Sequence, residues 1–90
     1  MQITEKVRSE IALNLPKVGF KEAEEIARQT GLSTDTVYRE WRKILNREKG
    51  KTDMDHPVVM ALAELAVRRK EERKKNDKRI SRFTKQLSAA

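Results

Sequence analysis

Gly31 stands between two stretches of helical periodicity, and its position leaves the backbone little freedom there. On its N-terminal side Phe20, Ala23, Ile26, Ala27 and Thr30 recur at i, i+3 and i+4 spacing, which predicts a helix from Phe20 to Gln29 with those residues inward. Glu22, Glu24 and Glu25 crowd its start, where the helix dipole favours anions. Gly31 then takes the left-handed conformation that stops a helix and that side chains resist. Ser33 has the chemistry of an N-cap for a following helix, with Val37, Trp41, Ile44, Leu45 and Glu48 along one stripe. Thr34, Asp35, Tyr38, Arg39, Arg42 and Lys43 fall on the opposite face. A connection this short forces the two helices to cross steeply. Ala27 is small where they must touch, Leu32 is placed to plug the space between them, and Val37 is placed to pack back on Ala27.

The remainder of the chain also reads as helix. Ile3, Val7, Ile11 and Leu15 recur every four residues, with Thr4 as cap and Glu5 in the first turn, and Pro16 and Gly19 close that helix. Residues 50–56 are polar and read as a linker. Pro57 suits the first position of a fourth helix, capped by Asp55 or His56. Neither Gly nor Pro follows it, so the helix can be long, as one rod or two. Val58, Leu62, Leu65 and Ala66 form an apolar face, residues 68–79 are almost all charged, and Ile80, Phe83 and Leu87 restore a sparse stripe. Glu64–Arg68 and Glu71–Lys75 have the favourable i, i+4 orientation for ion pairs. No run alternates as a strand would. The fold expected is all-α: a tri-helical core over residues 1–50, a linker at 51–56, and a basic C-terminal helix at 57–90 that packs, oligomerises, or both.

Ninety residues predict one domain with a thin core, to which self-association would add stability. The net charge of +7 is uneven: residues 1–50 carry ten Lys/Arg against eight Asp/Glu, and residues 51–90 carry eleven against six. Such a balance points to a polyanionic partner without choosing among DNA, RNA and an anionic membrane. The absence of cysteine excludes disulfides, a thiol nucleophile and a cysteine zinc site. His56 is the only histidine, and its place beside Pro57 fits a helix start better than a metal site, which needs three or four ligands. There is no Gly-rich phosphate loop and no His/Ser/Asp grouping, so neither catalysis nor a cofactor is expected. The apolar run from Pro57 to Val67 is about half a bilayer span. With no signal-like N-terminus, the expectation is a cytoplasmic, nucleoid-associated protein rather than a membrane one.

Ala27, Gly31, Leu32 and Val37 match, residue for residue, the core pattern of the helix-turn-helix superfamily, and the chain resembles that superfamily over its first half. The segment from Thr36 to Arg42 is similar to the recognition helix of sigma factor region 4. The segment from Gly31 to Tyr38 is similar to tetracycline-repressor and resolvase-type modules. In layout alone the chain resembles small phage activators and packaging subunits. The resemblance implies double-stranded DNA as partner, with the third helix in the major groove. By position it implies that Thr34, Asp35, Tyr38 and Arg39 read bases, Arg39 through bidentate bonding to guanine. Ser33, Thr36, Arg42 and Lys43 would hold phosphates, and Trp41 would join Ala27, Gly31, Leu32 and Val37 as motif core. Two residues depart from the pattern. Asp35 turns a carboxylate toward a polyanion, and Glu40 stands where an aliphatic is usual, with Trp41 expected to take its inward role.

Three readings follow from these features. The first is a small, sequence-specific transcriptional regulator of phage or mobile-element type. The second is a DNA-organising protein for architecture, excision, partition or packaging. The third is an interaction module that grips RNA polymerase or another regulator. A lone recognition helix gives little affinity, which favours a homodimer or higher homo-oligomer. Val58, Leu62 and Leu65 are the candidate oligomer face, although the same residues suit packing on the three-helix core equally well.

Overall fold

The computed structural model describes residues 1–46 and 52–88. Its regular elements are four α-helices: α1 (Glu5–Asn14), α2 (Phe20–Thr30), α3 (Thr34–Leu45) and α4 (Pro57–Ser88). The fold is thus all-α with a long C-terminal helix, as the periodicity predicts. The expected inward place of Glu48 lies outside the described residues, as do Gly50 and Lys51 at the start of the linker.

Local chemistry sets the helix ends. The Thr4 hydroxyl accepts from the Val7 N–H at 3.3 Å, and the Ser33 hydroxyl accepts from the Thr36 N–H at 3.2 Å. Gly19 caps α2 without a side chain, and the Glu22 carboxylate reaches back to accept the Gly19 N–H at 3.0 Å. Gly31 has φ +71°, and both its N–H and that of Leu32 close on the Ala27 carbonyl. The choice between Asp55 and His56 resolves to His56, whose Nδ1 accepts the Val58 N–H at 3.1 Å just ahead of Pro57.

The core is built by all four helices. Ile11, Leu15, Ala23, Ile26, Val37 and Ile44 come from the first three, and Val58, Val59, Leu62 and Ala66 of α4 fill the space between them. Burial of such side chains contributes about 1.5–3 kcal/mol each, so the first half of α4 is as much core as α1. Val58 and Leu62 are completely covered by their own chain, and Leu65 is half-buried. The face expected for oligomerisation is therefore used for packing within the chain.

Three further expectations are corrected. Phe20 sits at the very start of α2, beyond the reach of the core, and is 64% exposed. Leu32, expected as a plug, is on the surface beside the turn, 39% exposed. Leu45, in the last position of α3, is likewise on the surface.

Residues 52–56 are tied down. The Ile3 N–H donates to the Thr52 carbonyl at 2.9 Å and the Met54 N–H to the Met1 carbonyl at 2.7 Å, around an antiparallel bridge between Gln2 and Asp53. α4 is a single rod of 32 residues, roughly 48 Å at 1.5 Å per residue. Its ion pairs run to other helices, Arg69 to Glu22 and Lys70 to Glu10, rather than along its own surface as the i, i+4 spacings suggest. Beyond Lys70 every described residue to Ser88 is exposed, so the helix projects from the core.

Candidate nucleic-acid interface

α3 is the helix whose outer surface carries the candidate residues, and several anchors fix which way it faces. Val37 and Ile44 are completely buried beneath it. The Trp41 ring is half-buried, and its indole N–H donates to the Leu15 carbonyl at 3.1 Å. Arg8 of α1 is buried and donates to the carbonyls of Lys43 and Ile44, at 2.7 and 2.8 Å. Those two carbonyls lie in the last turn of α3, where no residue of the helix itself can reach them. A side chain from another helix therefore caps α3.

Glu40 turns inward and is only 7% exposed. It occupies the place where the resemblance puts an aliphatic, so Trp41 does not replace it; both face the body of the protein. Its carboxylate lies 3.3 Å from the Lys43 ammonium and 4.0 Å from His56 Nε2. A carboxylate so enclosed is tolerable because the Lys43 ammonium lies beside it.

With that facing set, Asp35, Arg39 and Arg42 are exposed, and Thr34, Thr36 and Lys43 are half-exposed. Arg39, Arg42, Lys43 and Asn46 line a shallow basic groove of about 270 Å³. Asn46 was not among the expected site residues, although its spacing of four from Arg42 and seven from Arg39 is the signal that would have found it. Ser33 and Thr36 share a hydroxyl–hydroxyl hydrogen bond of 3.0 Å at the start of the helix, next to the exposed Asp35. Two of the expected residues are compromised in part. Tyr38 is half-buried and packs against the core, and the Lys43 ammonium is shared with Glu40.

The structure thus brings Arg39, Arg42 and Lys43 together on one surface, with Asp35 nearer the turn. Arg8, Glu40 and His56 are the positioning residues that periodicity did not reveal. Among the described residues, no group of three His, Cys, Asp or Glu side chains is placed to hold a metal ion. No described helix is long and apolar enough to cross a membrane. No family model, curated protein or solved structure matches the chain.

Proposed function

We propose that this chain binds double-stranded DNA by a helix-turn-helix, with α3 laid in the major groove, and that it acts as a small transcriptional regulator without catalytic activity or a cofactor. The observation that carries the reading is the basic groove of Arg39, Arg42, Lys43 and Asn46 on the solvent side of a helix that starts three residues after a tight glycine turn. A guanidinium at Arg39 suits bidentate bonding to guanine O6 and N7. Thr34 and Asp35 stand nearer the N-terminus of the same face, where side chains meet base edges, and Asp35 can accept from cytosine N4. Arg42, Ser33 and Thr36 are placed to hold phosphates on either side. Tyr38 contributes its exposed edge, and Lys43 reaches a phosphate once it leaves Glu40.

Selection from a random duplex pool at two salt concentrations tests the proposal. A consensus whose recovery survives the higher salt supports sequence reading. Salt-sensitive retention without a consensus moves the case to a DNA-organising or packaging role, since phosphate contacts alone give such binding. No retention at either salt leaves the interaction-module reading, with RNA polymerase or another regulator as partner. On a preferred site Arg39→Ala is expected to cost about 1–3 kcal/mol and to blur one base position. Arg42→Ala is expected to weaken all sequences alike and to reduce the salt slope by about one unit. Equal loss on random DNA for Arg39→Ala counts against a base-reading role.

A further inference from the structure

The Glu40 carboxylate lies between two groups able to neutralise it. Its Oε1 is 3.3 Å from the Lys43 ammonium, which donates to it, and 4.0 Å from His56 Nε2, too far for a hydrogen bond. The Glu40 side chain is 10% exposed against 36% for that of Lys43. Glu40 is thus held inside, while Lys43 is able to turn into the groove that it lines with Arg39, Arg42 and Asn46.

The other ring nitrogen fixes the state of His56. Nδ1 accepts the Val58 N–H at 3.1 Å at the start of α4, so it carries no hydrogen. The ring is therefore neutral, with its proton on Nε2 toward Glu40. A second proton has to enter at Nδ1. There it removes the acceptor for Val58 and sets a positive charge at the positive end of the α4 dipole. Glu40 of α3 and Asp53 and Asp55 of the preceding segment pull the other way, but each already has a cation: Lys43 for Glu40, and the Met1 ammonium, at 3.2 and 3.0 Å, for the two aspartates. Arg8 of α1 is held on the Lys43 and Ile44 carbonyls.

We propose that filling of the groove by a phosphate is linked to uptake of one proton at His56. The inference rests on the reading of that groove as an anion site. A phosphate draws the Lys43 ammonium outward and leaves an enclosed carboxylate without its cation, which is costly. The nearest replacement is the imidazolium of His56, formed by a proton taken from solvent at Nδ1, with Nε2–H closing on Glu40 at the expense of the Val58 cap. Proton and phosphate each strengthen the binding of the other, by the same factor.

The first test contains no polyanion. Lys43→Met removes the ammonium as a phosphate would. His56 is the only histidine, and hydrogen bonds to Asp55 and Asp53 hold the N-terminal ammonium above its ordinary value of 8.0, so His56 dominates the response between about pH 6 and pH 7.5. A proton bound more tightly by the folded variant than by the unfolded chain adds stability in acid that is lost as pH rises. Urea unfolding is therefore expected to show Lys43→Met raising the unfolding constant about three- to tenfold more at pH 7.5 than at pH 6. His56→Asn keeps a capping oxygen for Val58, and in that background the difference is expected to vanish. The second test measures the affinity of the full chain for a random-sequence duplex at constant salt. The parent is expected to bind about three- to tenfold more tightly at pH 6 than at pH 7.5, and Lys43→Met to lose most of that dependence.

A cost of Lys43→Met that is equal at both pH values overturns the inference. A difference that persists with His56→Asn assigns the proton to the Glu40 carboxyl and overturns the role of His56. An affinity whose pH dependence is unchanged in Lys43→Met reflects the long-range field of the duplex and overturns the linkage. Absence of duplex binding at both pH values, with the unfolding result as expected, overturns the reading of the groove as a DNA site and leaves the sharing of Glu40 standing.

Discussion

Arg8→Met is expected to be among the most damaging single changes in this protein, although Arg8 lies on a helix distant in sequence from the proposed interface. Arg8 is 8% exposed, and one of its guanidinium nitrogens donates to two carbonyls of the last turn of α3, at 2.7 and 2.8 Å. A hydrogen bond from a charged donor contributes about 1.5–3 kcal/mol, and a buried acceptor stripped of its partner costs about 1–3 kcal/mol. The positive charge at a helix C-terminus adds about 0.3–1 kcal/mol. Methionine keeps most of the apolar stem, so the packing loss is small. The two bonds share one donor nitrogen and are not additive, and a net loss of about 3 kcal/mol is the consistent figure. For a domain of this size that is a fall in Tm of roughly 12–24 °C, out of a total stability of about 5–15 kcal/mol. Denaturant and thermal unfolding followed by circular dichroism measure it directly. Lys6→Met, which removes one exposed positive charge from the same helix, is the control and is expected to change stability by no more than about 0.5 kcal/mol. Arg8→Lys is expected to recover part of the loss through a single point donor. A loss below about 1 kcal/mol for Arg8→Met would refute the reasoning, because it would mean that water satisfies both carbonyls and that α3 needs no cap from α1.

Two further predictions rest on equally local features. Gly31→Ala is expected to cost about 1–2 kcal/mol in chemical denaturation, purely from the left-handed backbone at φ +71°, since an added Cβ meets nothing within 4 Å; Gly31→Asn should cost less, and equal losses would mean that crowding matters after all. The ammonium of Lys70, 3.0 Å away and hydrogen-bonded, holds the Glu10 carboxyl below its ordinary value of 4.5. A carboxyl lowered on folding stabilises the protein above its unfolded pKa and loses that contribution as pH falls through the folded one. The stability difference between the parent and Glu10→Gln should accordingly be present at neutral pH and fade in acid, and a difference that persists unchanged in acid would mean that the ion pair is not what Glu10 supplies.

How legible all this was in the sequence depends on the range of the interaction. Helix starts at Thr4, Ser33 and Pro57 and the stop at Gly31 rest on bonds spanning a few residues, and the side chains that make them identify themselves. The inward faces of α1 and α3 were legible wherever the apolar residues fall in mid-helix, as with Ile11, Val37 and Ile44. Periodicity failed at helix ends, because Phe20 and Leu45 share the right face but extend past the body they would pack on. It was silent on polar groups used over long separations. Arg8 to Ile44 spans 36 residues and Trp41 to Leu15 spans 26, and nothing in the local pattern of either residue names its partner. Nor could it decide between packing and oligomerisation for Val58 and Leu62, since both uses demand the same apolar face.

That last ambiguity has a physical resolution. The core needs an apolar element long enough to cover three short helices, and the first half of α4 supplies it through Val58, Val59, Leu62 and Ala66. α2 and α4 run in opposite directions here: Glu22, at the start of α2, pairs with Arg69, while Gln29, at its end, shares a groove with residues from Ala61 onward. The rod consequently leaves the body beside the N-terminus of α2, and the Gly31 turn lies at the other end of the same helix. The N-terminal half of α3, proposed to meet base edges, and the exposed Ile80, Phe83 and Leu87 therefore sit toward opposite ends of the molecule. The free half of α4 therefore does not mask the outer face of α3, and a partner proposed to meet Arg39 and Arg42 would find that face open.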